Sequence, residues 1–75
     1  MSSLVITKTT EVVERIDHAA TGAIMCAKRV QAGLSLRTAA SQAGISAPYL
    51  LDLERGHRNW SAALVAKVEA ALNQA

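Results

Sequence analysis

The sequence predicts a small all-α domain of four to five helices, and three observations point to this class. The 75 residues are 51% hydrophobic but include no Phe, so the apolar content is mostly Ala, Leu, Val and Ile. Over most of the chain these residues recur at intervals of three and four, which is the spacing of a buried helix face. Serines and glycines that suit helix ends separate the periodic stretches, and no segment alternates convincingly between apolar and polar residues.

An N-terminal arm over residues 1–9 is predicted to precede the helical domain, which covers residues 10–75. Residues 4–7 have the β-branched, strand-like sequence LVIT. Two interpretations of the arm stay open. It is either a mobile terminus, or a short strand or arm that packs on, or pairs with, a partner subunit.

The first helix is predicted to begin after Thr10, which suits the N-cap position. Gly33 ends the periodic stretch, as a glycine past the C-terminal end of a helix should. Gly22 interrupts the apolar stripe in between. The sequence therefore allows one helix to about residue 32, or two helices that meet beside Gly22.

Three shorter helices follow, each introduced by a serine. Ser35, Ser46 and Ser61 can each accept a hydrogen bond from a backbone amide at the start of the next helix. The predicted helices cover residues 36–43, 47 to about 55, and 62 to about 73. The short connection at Gly44 joins the first two into a bihelical unit.

This bihelical unit, residues 36–55, meets the requirements of two helices that cross closely. Ala40 is small enough for the crossing point, and Gly44 tolerates the positive φ of a tight turn. The positions expected to face inward are all apolar: Ala39, Ala43, Ile45, Leu50 and Leu53. A unit of this kind can place its second helix in the major groove of DNA.

The charge distribution favours the same partner. The chain has a net charge of +2, and residues 28–58 carry five basic side chains against two acidic ones. Residues 1–20 carry a small negative excess instead. The positive charge therefore lies on the segment that contains the bihelical unit, as phosphate binding would require.

Composition argues against several other classes of protein. Cys26 is the only cysteine, so an intrachain disulfide is impossible; we expect a small buried core residue, with an intersubunit disulfide or a metal ligand as the alternatives. No apolar run approaches the roughly 20 residues of a membrane span, and no signal peptide is evident, so we expect a cytoplasmic protein. No metal-binding spacing, paired carboxylates or phosphate-cradling loop is present, so we expect no enzymatic activity, cofactor, metal or small-molecule ligand.

The segment from Gly22 to Leu72 resembles the helix-turn-helix domain of the phage repressor and Cro type, also called the Xre family. The resemblance includes the sequence KRVQAGLS at residues 28–35 and LERGHRN at residues 53–59. It implies a lambda-repressor-like fold and a sequence-specific transcriptional regulator, a repressor or autoregulator of phage or prophage type. Such a protein would bind double-stranded DNA as a homodimer on a near-palindromic operator.

The resemblance also implies the residues that meet DNA. The base-reading positions would be Ser46, Ala47, Pro48, Tyr49, Leu51 and Asp52. The DNA backbone would be contacted by Ser35, Arg37, Arg55, His57 and Arg58. Members of the family pair an arginine of the first helix with the glutamate that closes the recognition helix. Arg29 and Glu54 occupy those positions here, and the alternative is two separately solvated charges.

The sequence departs from the family pattern in two ways. Leu36 stands where the family often has a Gln that binds phosphate or base. The groove-facing positions also lack Arg, Asn, Gln and Lys, which give bidentate base readout, although Tyr49 could donate one hydrogen bond and Asp52 could accept from cytosine N4. Specificity would then depend more on DNA shape. The alternative is a protein-interaction module, such as an antitoxin-like or phage accessory protein, that keeps the fold but reads DNA weakly.

Two further expectations concern residues around the motif. Trp60 is interpreted as a core anchor, with a DNA or dimer contact as the alternative, and His18 is placed on a polar helix face. Relatives often continue with another helix that helps to form the dimer, whereas this sequence stops at Ala75. Packing or dimer contacts are therefore expected from the N-terminal apolar residues Leu4, Ile6, Val12, Val13 and Ile16.

Overall fold

The structure, a computed structural model, describes residue 4, residues 6–8 and residues 14–73. Within this part of the chain, two short strands precede four helices. These are β1 (Ile6–Lys8), β2 (Glu14–Ile16), α1 (His18–Gln31), α2 (Leu36–Ala43), α3 (Ala47–Glu54) and α4 (Ala62–Leu72). The four helices confirm the predicted small all-α domain, and α2 with α3 forms the bihelical unit.

The N-terminal region differs from the sequence prediction. β1 and β2 pair antiparallel, with Ile6 opposite Ile16. The prediction of a helix that begins after Thr10 is therefore wrong for residues 14–16, which form β2. The helix begins at His18 because Asp17 supplies its N-cap, with the carboxylate accepting a hydrogen bond from the Ala20 amide at 3.0 Å. Part of the predicted arm forms the strand β1, which pairs with the chain's own β2, and pairing with a partner subunit stays a prediction.

The residues expected to pack or dimerise through the N-terminal region have different outcomes. Leu4 and Ile16 are half-buried and pack against the edge of the helical core. Ile6 lies in β1. Val12 and Val13 lie outside the described residues.

The helix boundaries that follow agree with the serine caps predicted from sequence. The side chains of Ser35, Ser46 and Ser61 accept hydrogen bonds from the third residue beyond them, at 3.1, 3.2 and 3.1 Å. α1 runs without a break, so one helix rather than two is present. At the turn of the bihelical unit, Gly44 has a φ of 75°, as the tight connection requires.

A thin core of small and medium apolar side chains lies between the helices. α1 packs against α3, and α4 packs mainly against α2. The buried apolar residues are Met25, Ala39, Ala40, Ala43, Leu50, Leu53, Trp60, Val65, Val68, Ala71 and Leu72. No helix in the described ranges is both long enough and apolar enough to cross a membrane.

Cys26 is not the buried core residue that its helical spacing predicted. It is half-buried on α1 and lies outside the apolar core cluster. Its Sγ atom lies 3.9 Å from Nη2 of Arg29, which places the thiol beside charged groups. Burial is the main cause that raises the pKa of the Cys26 thiol, and the neighbouring Glu54 raises it further.

Candidate nucleic-acid interface

The two faces of α3 have opposite environments. Leu50 and Leu53 are 1% and 0% exposed and point into the core, as predicted. Ser46 and Pro48, at the start of the helix, are exposed. The other candidate base-reading residues, Ala47, Tyr49, Leu51 and Asp52, are half-buried.

Ala47 and Tyr49 have a second role that sequence spacing did not indicate. Both pack against the apolar core while keeping part of their surface exposed. Packing of this kind restricts the rotamers of Tyr49, and Ala47 has no rotamers, so the two residues offer a fixed surface rather than adaptable side chains. Pro48 adds to this rigidity because its ring fixes the backbone in the first turn of α3.

The residues expected to contact the DNA backbone are all exposed. Arg37 lies at the start of α2, and Arg55, His57 and Arg58 follow the end of α3. Ser35 is also exposed, but its hydroxyl is engaged in the cap of α2, where it donates to Oγ1 of Thr38 at 2.9 Å. The exposed basic groups therefore lie before and after α3 in the chain.

The turn after α3 folds residues 57–59 back toward the helix. Gly56 has a φ of 79°, and the His57 amide donates to the Asp52 carbonyl oxygen at 2.8 Å. This pattern closes the helix and reverses the chain direction. As a result, Tyr49, His57, Arg58 and Asn59 line one open recess beside α3.

Asn59 is a site residue that the sequence alone does not predict, because an asparagine in a loop carries no signal of a binding role. Its place in this recess depends on the reversal at Gly56. The sequence signal available was the glycine just after a helix, which predicts such a reversal.

An ion pair joins Asp52 of α3 to Arg58 in the same turn. Nε of Arg58 lies 3.6 Å from Oδ2 of Asp52, and the two side chains are 61% and 40% exposed. The carboxylate that is a candidate for reading a base and the guanidinium that is a candidate for binding phosphate therefore form a pair with each other.

Arg29 and Glu54, the pair implied by the family resemblance, are in direct contact. Nε and Nη2 of Arg29 donate to the two carboxylate oxygens of Glu54 at 2.8 and 3.2 Å. The two side chains are only 16% and 4% exposed, so they are not separately solvated charges. The hydrogen bond to Glu54 raises the pKa of the Arg29 guanidinium, which stays charged.

Arg29 also holds the connection that leads to α2. Its Nη1 atom donates to the carbonyl oxygen of Leu34 at 2.9 Å. One guanidinium thus connects α1, the loop before α2 and the last residue of α3. The position of α3 relative to α1 and α2 depends on this side chain.

Gly22 supplies a second attachment between α1 and α3. A Cβ atom at this position would overlap the carbonyl oxygen of Leu53 and would lie 2.8 Å from that of Glu54. The backbones of α1 and α3 can approach this closely only because the residue is glycine. The sequence showed Gly22 as an interruption of an apolar stripe, and the structure shows it as the contact point.

Trp60 and His18 complete the attachment at the end of α3. Trp60 is 3% exposed, and its Nε1 atom donates to the Leu53 carbonyl oxygen at 3.1 Å, which confirms the core-anchor interpretation. The Trp60 amide donates to Nδ1 of His18 at 2.8 Å. The placement of His18 on a polar helix face was therefore incomplete, because the ring accepts a hydrogen bond from the loop before α4.

A helix-turn-helix family model matches residues 27–74, a range that contains α2, α3 and α4. No curated protein matches the chain. Two solved structures are similar to it. The clp gene regulator ClgR from C. glutamicum is 38% identical over 69% of this chain and 67% of that chain, with a TM-score of 0.68.

The second structure is the restriction-modification controller protein C.AhdI from Aeromonas hydrophila. It is 34% identical over 76% of this chain and 88% of that chain, also with a TM-score of 0.68. The family match and both structures agree with the helix-turn-helix formed by α2 and α3. The chain therefore belongs to the helix-turn-helix family of DNA-binding transcriptional regulators.

Proposed function

We propose that the chain is a sequence-specific regulator of the phage repressor type, a repressor or autoregulator, that binds a near-palindromic operator as a homodimer in the cytoplasm. The observation that carries this proposal is the attachment of α3. Its inner face and C-terminal end are buried against α1, whereas Ser46 and Pro48 at its N-terminal end are exposed. A helix held in this way can enter the major groove with its N-terminal residues first.

Base reading is assigned to the six positions implied by the family resemblance. Tyr49 would donate a hydrogen bond, Asp52 would accept one from cytosine N4, and the apolar side chains would contact thymine methyl groups. Because Ala47 and Tyr49 are fixed by core packing, the fit of a rigid surface to the shape of the groove would contribute to selectivity.

Phosphate binding is assigned to the exposed groups on either side of α3. Arg37 stands at the N-terminal end of α2, where backbone amides also favour an anion. Arg55, His57 and Arg58 would bind the phosphates beyond the end of α3. Asn59 joins this set because it lines the same recess as Tyr49, His57 and Arg58.

A homodimer would place two copies of α3 in successive major grooves about one helical turn apart. Dimerisation would also supplement a core built largely from Ala, Leu and Val, since small domains bury limited apolar area. Sedimentation equilibrium of the full chain tests this part. A monomer at all concentrations, alone and with operator, would exclude the homodimer.

Fluorescence anisotropy with labelled duplex DNA tests the DNA-binding role directly. The chain is titrated with random duplex and with the DNA upstream of its own gene, at about 50 and 200 mM salt. We expect salt-sensitive binding to both and tighter binding to the upstream DNA. Absence of salt-sensitive binding to either duplex would favour the alternative, a protein-interaction module on the same fold.

Charge-removing variants then separate phosphate contacts from general electrostatics. Arg55→Ala should weaken binding to every sequence and should reduce the slope of log K against log salt by about 0.9, the value for one phosphate contact. Lys67→Ala is the matched control, because Lys67 is an exposed cation on α4, which has no residue in the proposed interface. An equal loss for both variants would contradict the assigned interface.

A further inference from the structure

The Asp52–Arg58 pair connects a proposed base-reading group to a proposed phosphate-binding group. Nε of Arg58 and Oδ2 of Asp52 are 3.6 Å apart at the surface. In the described part of the chain, the other exposed arginines, Arg37 and Arg55, belong to no ion pair. Of Arg37, Arg55 and Arg58, Arg58 is therefore the one that has a carboxylate partner among the described residues.

The fold keeps these two groups adjacent. Asp52 lies in the last turn of α3, and its carbonyl oxygen accepts the hydrogen bond from the His57 amide that reverses the chain. Arg58 directly follows His57, the residue whose amide donates this hydrogen bond. Gly56 fixes the reversal, and a Cβ at that position would lie 3.0 Å from Cα of Ala19 on α1, so the loop is packed against α1. Only the Arg58 side chain has to move for it to change partners.

We propose that Asp52 determines sequence discrimination by competing with DNA phosphate for Arg58. This inference rests on the proposed function. On a non-cognate sequence Asp52 has no amino group to accept from, so it keeps Arg58 and repels nearby phosphates. On the cognate sequence a cytosine N4 amino group engages Asp52, and Arg58 is released to bind phosphate.

The geometry of the pair suits an exchange of partners. An exposed ion pair of this length contributes little to stability, so a phosphate can replace the carboxylate at small cost. A carboxylate that penalises wrong sequences gives specificity by repulsion as well as by attraction. This role suits a reading surface that has no Arg, Asn, Gln or Lys at the groove-facing positions.

The test compares wild type, Asp52→Asn, Arg58→Ala and the double variant on two probes. The probes are random duplex and the tightest duplex that wild type selects from a random-sequence pool. Asp52→Asn should tighten binding to random duplex about threefold to tenfold and increase its salt slope by about one phosphate contact. Binding to the selected duplex should tighten less, so the ratio between the two probes should fall.

If Asp52 and phosphate compete for Arg58, the effect of Asp52→Asn should depend on whether Arg58 is present. In the Arg58→Ala background, Asp52→Asn should leave the salt slope on random duplex unchanged, and it should lower the ratio between the probes less than it does when Arg58 is present. A fresh selection with Asp52→Asn should lose the preference for a G·C pair at one position of each half-site. Glu69→Gln is the control for net charge, since Glu69 pairs with Lys28 at 3.4 Å on another surface; it should change binding less than twofold.

Two results would overturn this inference while leaving the proposed function intact. One is an equal gain in affinity for both probes with Asp52→Asn, which would indicate only that repulsion between the carboxylate and DNA phosphates is reduced. The other is a full effect of Asp52→Asn when Arg58 is absent. If wild type binds neither probe, the proposed function fails first. Thermal unfolding of each variant should match wild type, because a surface ion pair of this length contributes little to stability.

Discussion

The inner and outer sides of α3 are held by different kinds of contact. On the inner side, Glu54 makes a buried bidentate pair with Arg29. The Leu53 carbonyl oxygen accepts a hydrogen bond from the Trp60 indole and lies in close contact with Gly22 of α1. On the outer side, the one ion pair among the described residues, between Asp52 and Arg58, is long and exposed. The difference indicates that the inner contacts fix where the helix stands, while the outer residues remain available to exchange partners.

This comparison separates two consequences of mutation. Substitutions on the inner side should reduce the free energy of unfolding and affect binding only through the fold. Substitutions on the outer side should leave unfolding nearly unchanged and alter DNA binding.

Arg29→Met should destabilise the fold by about 3 kcal/mol, because it leaves the Glu54 carboxylate buried without its partner. Urea unfolding followed by far-UV circular dichroism measures this loss. The double variant Arg29→Met/Glu54→Leu should recover part of the stability, since no charge is then left unpaired. A double variant less stable than the single variant would show that the pair is not the source of the effect.

Gly22→Ala should lower the free energy of unfolding by about 2 kcal/mol, because the added Cβ forces α1 and α3 apart. Helix propensity alone predicts the opposite sign, a gain of up to about 1 kcal/mol for Ala in a helix interior. Gly33→Ala is the matched control: its Cβ meets no atom within 4 Å and only its φ of 74° opposes the change. The free energy of unfolding of this control variant should fall by about 1 kcal/mol. A stabilised Gly22→Ala would contradict the close helix contact.

Trp60→Phe should cost between about 1 and 2 kcal/mol, because the Leu53 carbonyl oxygen loses its indole donor. Tyr49→Phe serves as the outer-side comparison and should change the unfolding free energy by less than about 0.5 kcal/mol. Equal losses for the two variants would remove the distinction between the sides of α3.

The Cys26 thiol should react slowly with iodoacetamide in the folded protein at about pH 8, because its raised pKa keeps the nucleophilic thiolate scarce. The same protein in denaturing urea is the control and should react faster. Since the folded state holds this proton more tightly than the unfolded chain, stability should fall as pH rises above the ordinary thiol pKa. Folded and unfolded rates that are equal would contradict the burial of the thiol.

The local features of the fold were predictable from sequence, because they depend on neighbouring residues. Ser35, Ser46 and Ser61 cap helices through the backbone three residues ahead, and Gly44 permits the turn through its own φ. The start of α1 was not predicted correctly. Thr10 and Asp17 both suit an N-cap, and only the pairing of β1 with β2 selects Asp17.

The non-local features required the structure. Gly22 marks a contact only once α3 is known to cross α1 at that residue. The packing of Tyr49 on the core and the contact between Asp52 and Arg58 depend on how the turn at Gly56 directs the chain. Sequence resemblance supplied the candidate positions, and the geometry shows which of them contact each other.

Amide chemical-shift mapping by NMR, with the full chain titrated with duplex DNA at low salt, tests whether the outer side of α3 binds DNA. We predict the largest changes at residues 46–52 and 55–59, with little change at the exposed residues Ile24 and Val30 on α1. Changes concentrated on that surface of α1, with none along α3, would contradict the claim that the outer side of α3 meets DNA.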